Sequence, residues 1–319
     1  MVRIYKLNKR FQKLGLKTRL GLALGGGGAR GVAHIGVLRA FEHKQIKISC
    51  ISGTSAGAIV AALYAFGKST DEIRTIFETL SFSRISNLIP VKLGLSSNQG
   101  LAAVLEKEVG AVDIQDAPIP LSILCTDLIT GEKKVFTKGP LAKLVQASCS
   151  FPGIYSPVEH ENMLLIDGAL TENIPVSAAK QLGANFVVAV SLSDIKQHVA
   201  MPSGMLEVMN RCFDILVDQV SLENIKSAEY TIYMDLSFMS RFKLSDQDKA
   251  INLGFIKTQK LLEKPLIYWL SKPWFDYIHG IKDSFREFVK SAVTHPQVRS
   301  TMFFIQKFLS DLKRRLPKP

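Results

Sequence analysis

Three short stretches of this chain hold residue types that do chemistry at a telling spacing. Gly53-Thr54-Ser55-Ala56-Gly57 sets a serine between two glycines, where an apolar run (Ile46 to Ile51) ends and a small-residue helix (Ala58 to Phe66) is predicted to begin. Gly-x-Ser-x-Gly is the sequence form of a strand-to-helix turn so tight that only small neighbours fit, and it lifts the serine hydroxyl out as a nucleophile. Upstream, the buried-strand pattern Leu20 to Leu24 runs into Gly25-Gly26-Gly27-Gly28-Ala29-Arg30-Gly31. A glycine run at a helix start leaves backbone N–H groups unobstructed, which makes a cradle for negative charge. Downstream, Met163 to Ile166 reads as a strand ending in Asp167-Gly168-Ala169, with the acid where a catalytic carboxylate stands in a parallel sheet. The chemistry these three imply is acyl transfer. Ser55 attacks a carbonyl carbon, a base takes its proton, and the N–H groups of Gly26, Gly27 and Gly28 stabilise the oxyanion, each such donor being worth roughly 3 kcal/mol of barrier.

A serine needs a base. Of the six histidines (His34, His43, His160, His198, His279, His295), none stands in the downstream loop context of a Ser-His-Asp hydrolase. His34 is the rival, but it falls inside a predicted helix four residues after Arg30, where a buried, hydrogen-bonded imidazole is the commoner occupant. Asp167 is left as the base, aided if burial raises its pKa. The three motifs in this order, with the Ala29-to-Leu38 run and the Ala147-to-Pro157 segment, resemble the patatin-like phospholipase family over about residues 20–260. The family's glycine loop often opens with Asp, whereas this one opens with Gly25. The resemblance implies a serine lipid acyl hydrolase with a Ser55–Asp167 dyad and a motif set of Arg30, Gly31, Gly53, Gly57, Gly168 and Ala169. It implies phospholipid or lysophospholipid esters as substrates and no cofactor. Arg30 serves either to order the loop or to meet a lipid phosphate. Two other classes stand beside this one. Gly26 to Gly31 fits the GxGxxG of a dinucleotide site, but the second strand ends in Ser52-Gly53 rather than in an acid, and no Walker lysine follows the glycines. A catalytically silent membrane-surface scaffold is the third, against which the intact Ser55 and Asp167 speak.

The elements that must position these residues alternate strand and helix, which predicts a three-layer α/β/α domain around a mostly parallel sheet. Besides the strands already named, Leu121 to Asp127 and Lys133 to Thr137 read as a hairpin, and Ala184 to Ser191 and Tyr230 to Leu236 as strands. Helices are predicted over Asp71 to Leu80, capped by Thr70 or Asp71, over Leu101 to Val109, through about Ala228, and over Asp246 to Glu263. Residues 81–100 have no clear period and read as a connector or a flap over the site. Met201, Met205 and Met209 read as core, with an acyl pocket as the other use of such a face.

The 319 residues carry a net charge of +12, concentrated at the ends. Residues 1–20 hold seven Lys or Arg and no acid; residues 261–319 hold eleven basic and five acidic residues. At 1–19, Ile4, Leu7, Phe11 and Leu14 recur at helical spacing among lysines, which suits an amphipathic helix on an anionic bilayer or, equally, a solvated tail. The 20–260 body follows, then a basic, aromatic-rich extension (261–319) that suits an interfacial helix, a hairpin packed on the body, or a dimer interface. No apolar stretch is long enough to span a bilayer, and the first apolar run is too short for a secretory signal. Cys50, Cys125, Cys149 and Cys212 are widely spaced, as fits reduced thiols rather than a disulfide framework, and no cluster has metal-ligand spacing. These features give the expectation of a cytoplasmic protein, peripheral on the inner face of a membrane where its basic ends meet anionic lipid, and without a nucleic-acid partner. They leave head group, chain length and oligomeric state open.

Overall fold

A computed structural model of the chain describes residues 19–80, 93–192, 201, 204–241 and 244–263. The amphipathic segment (all but Arg19 of 1–19), the first part of the 81–100 flap and residues 264–319 of the extension fall outside the described residues. The described body belongs to one compact unit that ends at Lys264.

The sheet runs in the order β5-β6-β3-β2-β1-β7-β8, with β4 hydrogen-bonded to β3. Its strands are β1 (Leu20–Leu24), β2 (Cys50–Thr54), β3 (Leu121–Asp127), β4 (Lys133–Phe136), β5 (Val158–His160), β6 (Met163–Asp167), β7 (Phe186–Ser191) and β8 (Tyr230–Tyr233). The run β3-β2-β1-β7-β8 is parallel throughout. β4, β5 and β6 join antiparallel, so the strand that carries Asp167 is not part of the parallel run as its sequence context suggested. Every residue of β2 and β3 is buried, the mark of strands covered on both faces. On one face Ala23, Cys50, Val187 and Ala189 pack with Val176 and Ala179 of a helix. Alternate residues such as Leu22, Leu24, Val188 and Val190 turn to the opposite face and are buried there too.

The described helices are α1 (Ala33–His43), α2 (Ala56–Ala65), α3 (Thr70–Thr79), α4 (Gln99–Val109), α5 (Leu141–Ser148), α6 (Ala169–Glu172), α7 (Val176–Gln181), α8 (Met205–Asn224) and α9 (Gln247–Leu262). The cap of α3 is Ser69, one residue before the first of the two predicted caps. Ser69 closes a capping box, its Oγ accepting from the Glu72 N–H at 3.2 Å while Glu72 Oε2 accepts from the Ser69 N–H at 2.9 Å. α9 packs on α1, at a close approach where a Cβ on Gly36 would stand 1.8 Å from the Ile251 carbonyl oxygen. The methionine reading needs correction. Met201, Met205 and Met209 are exposed, not core. α8 turns Val217 and Ser221 inward instead, because its buried side meets α6 and not the sheet. Among the described residues no helix is long and apolar enough to cross a membrane.

Candidate active site

The site forms where β1, β2 and β7 end, in the crevice beyond the carboxyl ends of parallel strands. β2 leaves the sheet at Thr54, which pairs with Leu124 of β3. The next residue of β3, Cys125, pairs with Asp167. The ends of β2 and β6 therefore meet at one point on β3, and this register carries Asp167 to Ser55 across 112 residues of sequence.

Ser55 sits at φ 52°, ψ −124°, a region an L-residue enters only when its surroundings hold it there. The crowding is visible at the flanking glycines. A Cβ on Gly57 would lie 2.1 Å from the Leu24 carbonyl oxygen, and one on Gly53 would lie 2.5 Å from that of Gly57. Glycine is therefore required at both, for close approach. The Ser55 N–H donates to Ser148 Oγ at 2.9 Å, and that hydroxyl donates to the Leu124 carbonyl at 2.5 Å. Ser148, at the end of α5, thus ties the turn to β3.

The glycine loop is pinned residue by residue. The Gly25 N–H donates to Val190 O at 3.1 Å and the Ala29 N–H to Arg241 O at 2.8 Å. The Gly26 N–H is shared between the Asn173 carbonyl at 3.2 Å and Asn173 Oδ1 at 3.1 Å. Gly28 has φ +60°, a left-handed turn that sends the chain into the short 3-10 segment Gly28–Val32. Arg30 is buried and donates from Nε to Met239 O at 2.8 Å. Burial, then the nearby Arg241 charge, lowers its pKa. The Nε bond ties the 3-10 segment to Met239, and Arg30 also borders the cavity. His34 is fully buried, with Nε2 2.8 Å from Gly25 O. Burial pushes its pKa down to about 4, so at neutral pH it is an uncharged donor to that carbonyl and not a base poised on Ser55.

Asp167 is buried, and that burial raises its pKa to about 6. The Ala169 N–H, donating to Oδ1 at 2.9 Å, opposes the rise, as do the Ser55 hydroxyl and the Arg241 charge. Ser55, Asp167, Ala169, Arg30 and Gly26 to Gly28 all border one cavity of about 390 Å³. Its walls are mostly apolar, with Phe77, Leu101, Phe151, Phe213, Val217 and Leu244 among them. Such a space suits an acyl chain with a reactive carbonyl at its polar end. Gly31, Gly53, Gly57 and Gly168 shape the turns around it: a Cβ on Gly31 would stand 2.6 Å from that of Ala56, and one on Gly168 would stand 2.5 Å from Leu124 O.

Sequence reasoning missed Asn173, Ser148, Arg241 and Cys149. Asn173 follows Asp167 closely enough that a polar residue beside the motif was a usable signal. Ser148 ends α5 inside the Ala147-to-Pro157 segment, where its type alone assigns it no role. Cys149 lies in the same segment, which the resemblance covers, but is given no role there, and Arg241 carries no local signal. The Cys149 thiol borders the cavity and is pushed well up by burial and by Asp167, so it stays protonated beside Ser55.

The profile of the family described as "Patatin-like phospholipase" matches residues 22–180, a span that holds the glycine loop, Ser55 and Asp167. This chain belongs to the patatin-like phospholipase family. An uncharacterized NTE family protein of Mycobacterium bovis is 35% identical to this patatin-like chain over 199 residues, 60% of this chain and 55% of that protein. A protein of Mycosarcoma maydis named lysophospholipase NTE1 is 31% identical over 188 residues, 55% of this chain but 10% of its own length. The patatin-like chain thus spans little more than half the length of the mycobacterial relative. The crystal structure of VipD from Legionella pneumophila superposes with a TM-score of 0.52 at 15% identity, covering 77% of this chain and 66% of that one. At that identity the agreement is one of fold.

Proposed function

We propose that this patatin-like protein is a serine esterase that hydrolyses acyl esters of phospholipids or lysophospholipids at a membrane surface. The observation that carries the reading is the convergence of Ser55, a buried Asp167 of raised pKa and the glycine loop on one apolar cavity. The relatives named as lysophospholipases support the substrate class.

Ser55 Oγ attacks the ester carbonyl carbon while its proton passes to Asp167. Negative charge gathers on the former carbonyl oxygen and is met by the N–H groups of Gly27 and Gly28. The Gly26 N–H is already engaged by Asn173 and serves to hold the loop. The helix that begins at Ala56 directs the positive end of its dipole at the same place. Collapse of the tetrahedral intermediate breaks the ester C–O bond, and the leaving alcohol takes the proton from Asp167. Water, giving its proton to Asp167, then attacks the acyl-Ser55 ester and releases the fatty acid, with the proton returning to Ser55 Oγ. An Asp of pKa about 6 is a stronger base than an ordinary carboxylate and is still ionised at pH 7.

The test is fluorophosphonate labelling with mass-spectrometric site mapping, alongside product analysis after incubation with a mixed lipid extract. The wild type should be labelled at Ser55 and release fatty acid and a lysolipid or glycerophospho-alcohol, while Ser55→Ala does neither. Label on another serine, with full activity in Ser55→Ala, would overturn the assignment.

A further inference from the structure

α8 carries apolar side chains on its outer as well as its inner side, unusual for a helix on the surface of a globular domain. Met205, Met209, Cys212 and Leu216 follow the i, i+4, i+7, i+11 spacing of a single stripe, yet that stripe faces solvent. Met205 is 76% exposed, Met209 54% and Leu216 56%, with Val208 and Cys212 also exposed beside them. The polar contacts lie on the inner side instead. Asp214 pairs with Arg241, and Ser221 Oγ accepts from Asn173 Nδ2 at 2.9 Å. The helix is thus fastened to the body by these polar groups together with Phe213 and Val217, and offers a second apolar stripe outward.

We propose that this stripe is the surface by which the protein lies on a lipid bilayer, an inference that rests on the esterase reading above. The choice of occupant follows from continuity with the cavity. Phe213 and Val217 of the same helix form part of its wall, and the Phe213 ring stands 4.4 Å from that of Phe151, another wall residue. Leu95, 63% exposed, donates its N–H to Ile154, which also borders the cavity, and Leu93 beside it is exposed as well. Apolar side chains on two separate segments therefore flank one cavity. A second protein seated there would cover the route a lipid must take. A bilayer seated there delivers the acyl chain without exposing it to water, and apolar side chains on a helix are the means by which such surfaces hold.

The experiment uses the full chain and vesicles of phosphatidylcholine and phosphatidylglycerol at high salt, which screens the basic ends. Met205→Glu with Met209→Glu should lower vesicle sedimentation about ten-fold or more, while kcat/KM on a soluble short-chain ester stays within about two-fold of wild type. A fluorophore of polarity-sensitive emission on Cys212 of the otherwise wild-type chain should shift to the blue when vesicles are added. The proposal is overturned by unchanged sedimentation of the double variant or by the absence of that shift. It is also overturned if wild type forms a dimer that the double variant abolishes, for then a second copy covers the stripe. A variant that loses soluble-ester turnover together with thermal stability overturns it too, because the stripe is then covered within the chain. Sedimentation needs no turnover, so a protein that binds through α8 but cleaves no ester breaks the esterase reading alone. An active esterase whose double variant still sediments breaks the docking reading alone.

Discussion

The turns at Ser55 and Asp167 are built alike, each following a buried strand and opening a helix, but they are held by different means. At Ser55 the backbone itself is constrained, with φ at 52° and glycines on either side that admit no Cβ. At Asp167 the following residue, Gly168, has an ordinary φ of −67° and ψ of −13°, and the helix it starts is four residues long. What is unusual there is the environment, which leaves a carboxylate buried and raises its pKa to about 6. The proposed nucleophile is shaped by backbone geometry and the proposed base by solvation. Substitutions that act on one property and not the other separate them.

The largest effect is expected at Gly57. An alanine there puts a methyl group 2.1 Å from the Leu24 carbonyl oxygen, so β1 and the Ser55 turn must part. Gly57→Ala should cost about 3 kcal/mol of stability and abolish fluorophosphonate labelling, as read by thermal denaturation and gel fluorescence. A variant with wild-type melting and labelling would show that crowding does not hold this turn.

Next comes Asp167→Asn, which keeps the shape and the bond from the Ala169 N–H and removes the proposed base. Its kcat on a soluble ester should fall at least about 100-fold. In the wild type the basic form is required, so kcat/KM should fall as pH drops through about 6. The same substitution should stabilise the fold. The folded pKa of about 6 lies above the ~3.9 of an unfolded Asp, so the fold disfavours the charged form. That penalty is absent below pH ~4, grows as pH rises to about 6 and is constant above, where Asp167→Asn gains on the order of 1–3 kcal/mol. A melting temperature unchanged at pH 8 would argue that Asp167 is not held by burial.

Asn173→Ala should have a smaller effect. It removes Oδ1 from the Gly26 N–H but leaves the carbonyl bond in place, so kcat should fall about ten-fold with KM little changed. A rise in KM alone would mean that Asn173 binds substrate rather than shaping the loop. The smallest change is expected for His34→Gln, which keeps a donor near Gly25 O. Its kcat/KM should stay within about ten-fold of wild type, well short of general-base loss. A folded but inactive His34→Gln would return the histidine to the mechanism.

Local chemistry made the site legible in advance where a conformation demands a residue type. A turn as tight as the one at Ser55 needs glycine at 53 and 57, and a loop that offers bare N–H groups needs the run at 25–28, so both are written in consecutive residues. The parallel core was legible for the same reason, since strands buried on both faces read as short apolar runs. Tertiary structure decided what depends on partners far along the chain. The brace between Gly26 and Asn173 spans 147 residues and that between Ser55 and Ser148 spans 93, and no local pattern encodes either. That β6 enters antiparallel, with Asp167 opposite Cys125, was equally hidden, because a strand's residues do not say which neighbour or direction it will take. The raised pKa of Asp167 comes from water excluded by distant elements. The outward stripe of α8 makes the same point: helical period reveals that a face exists, and only the packing of the whole domain determines which way it turns.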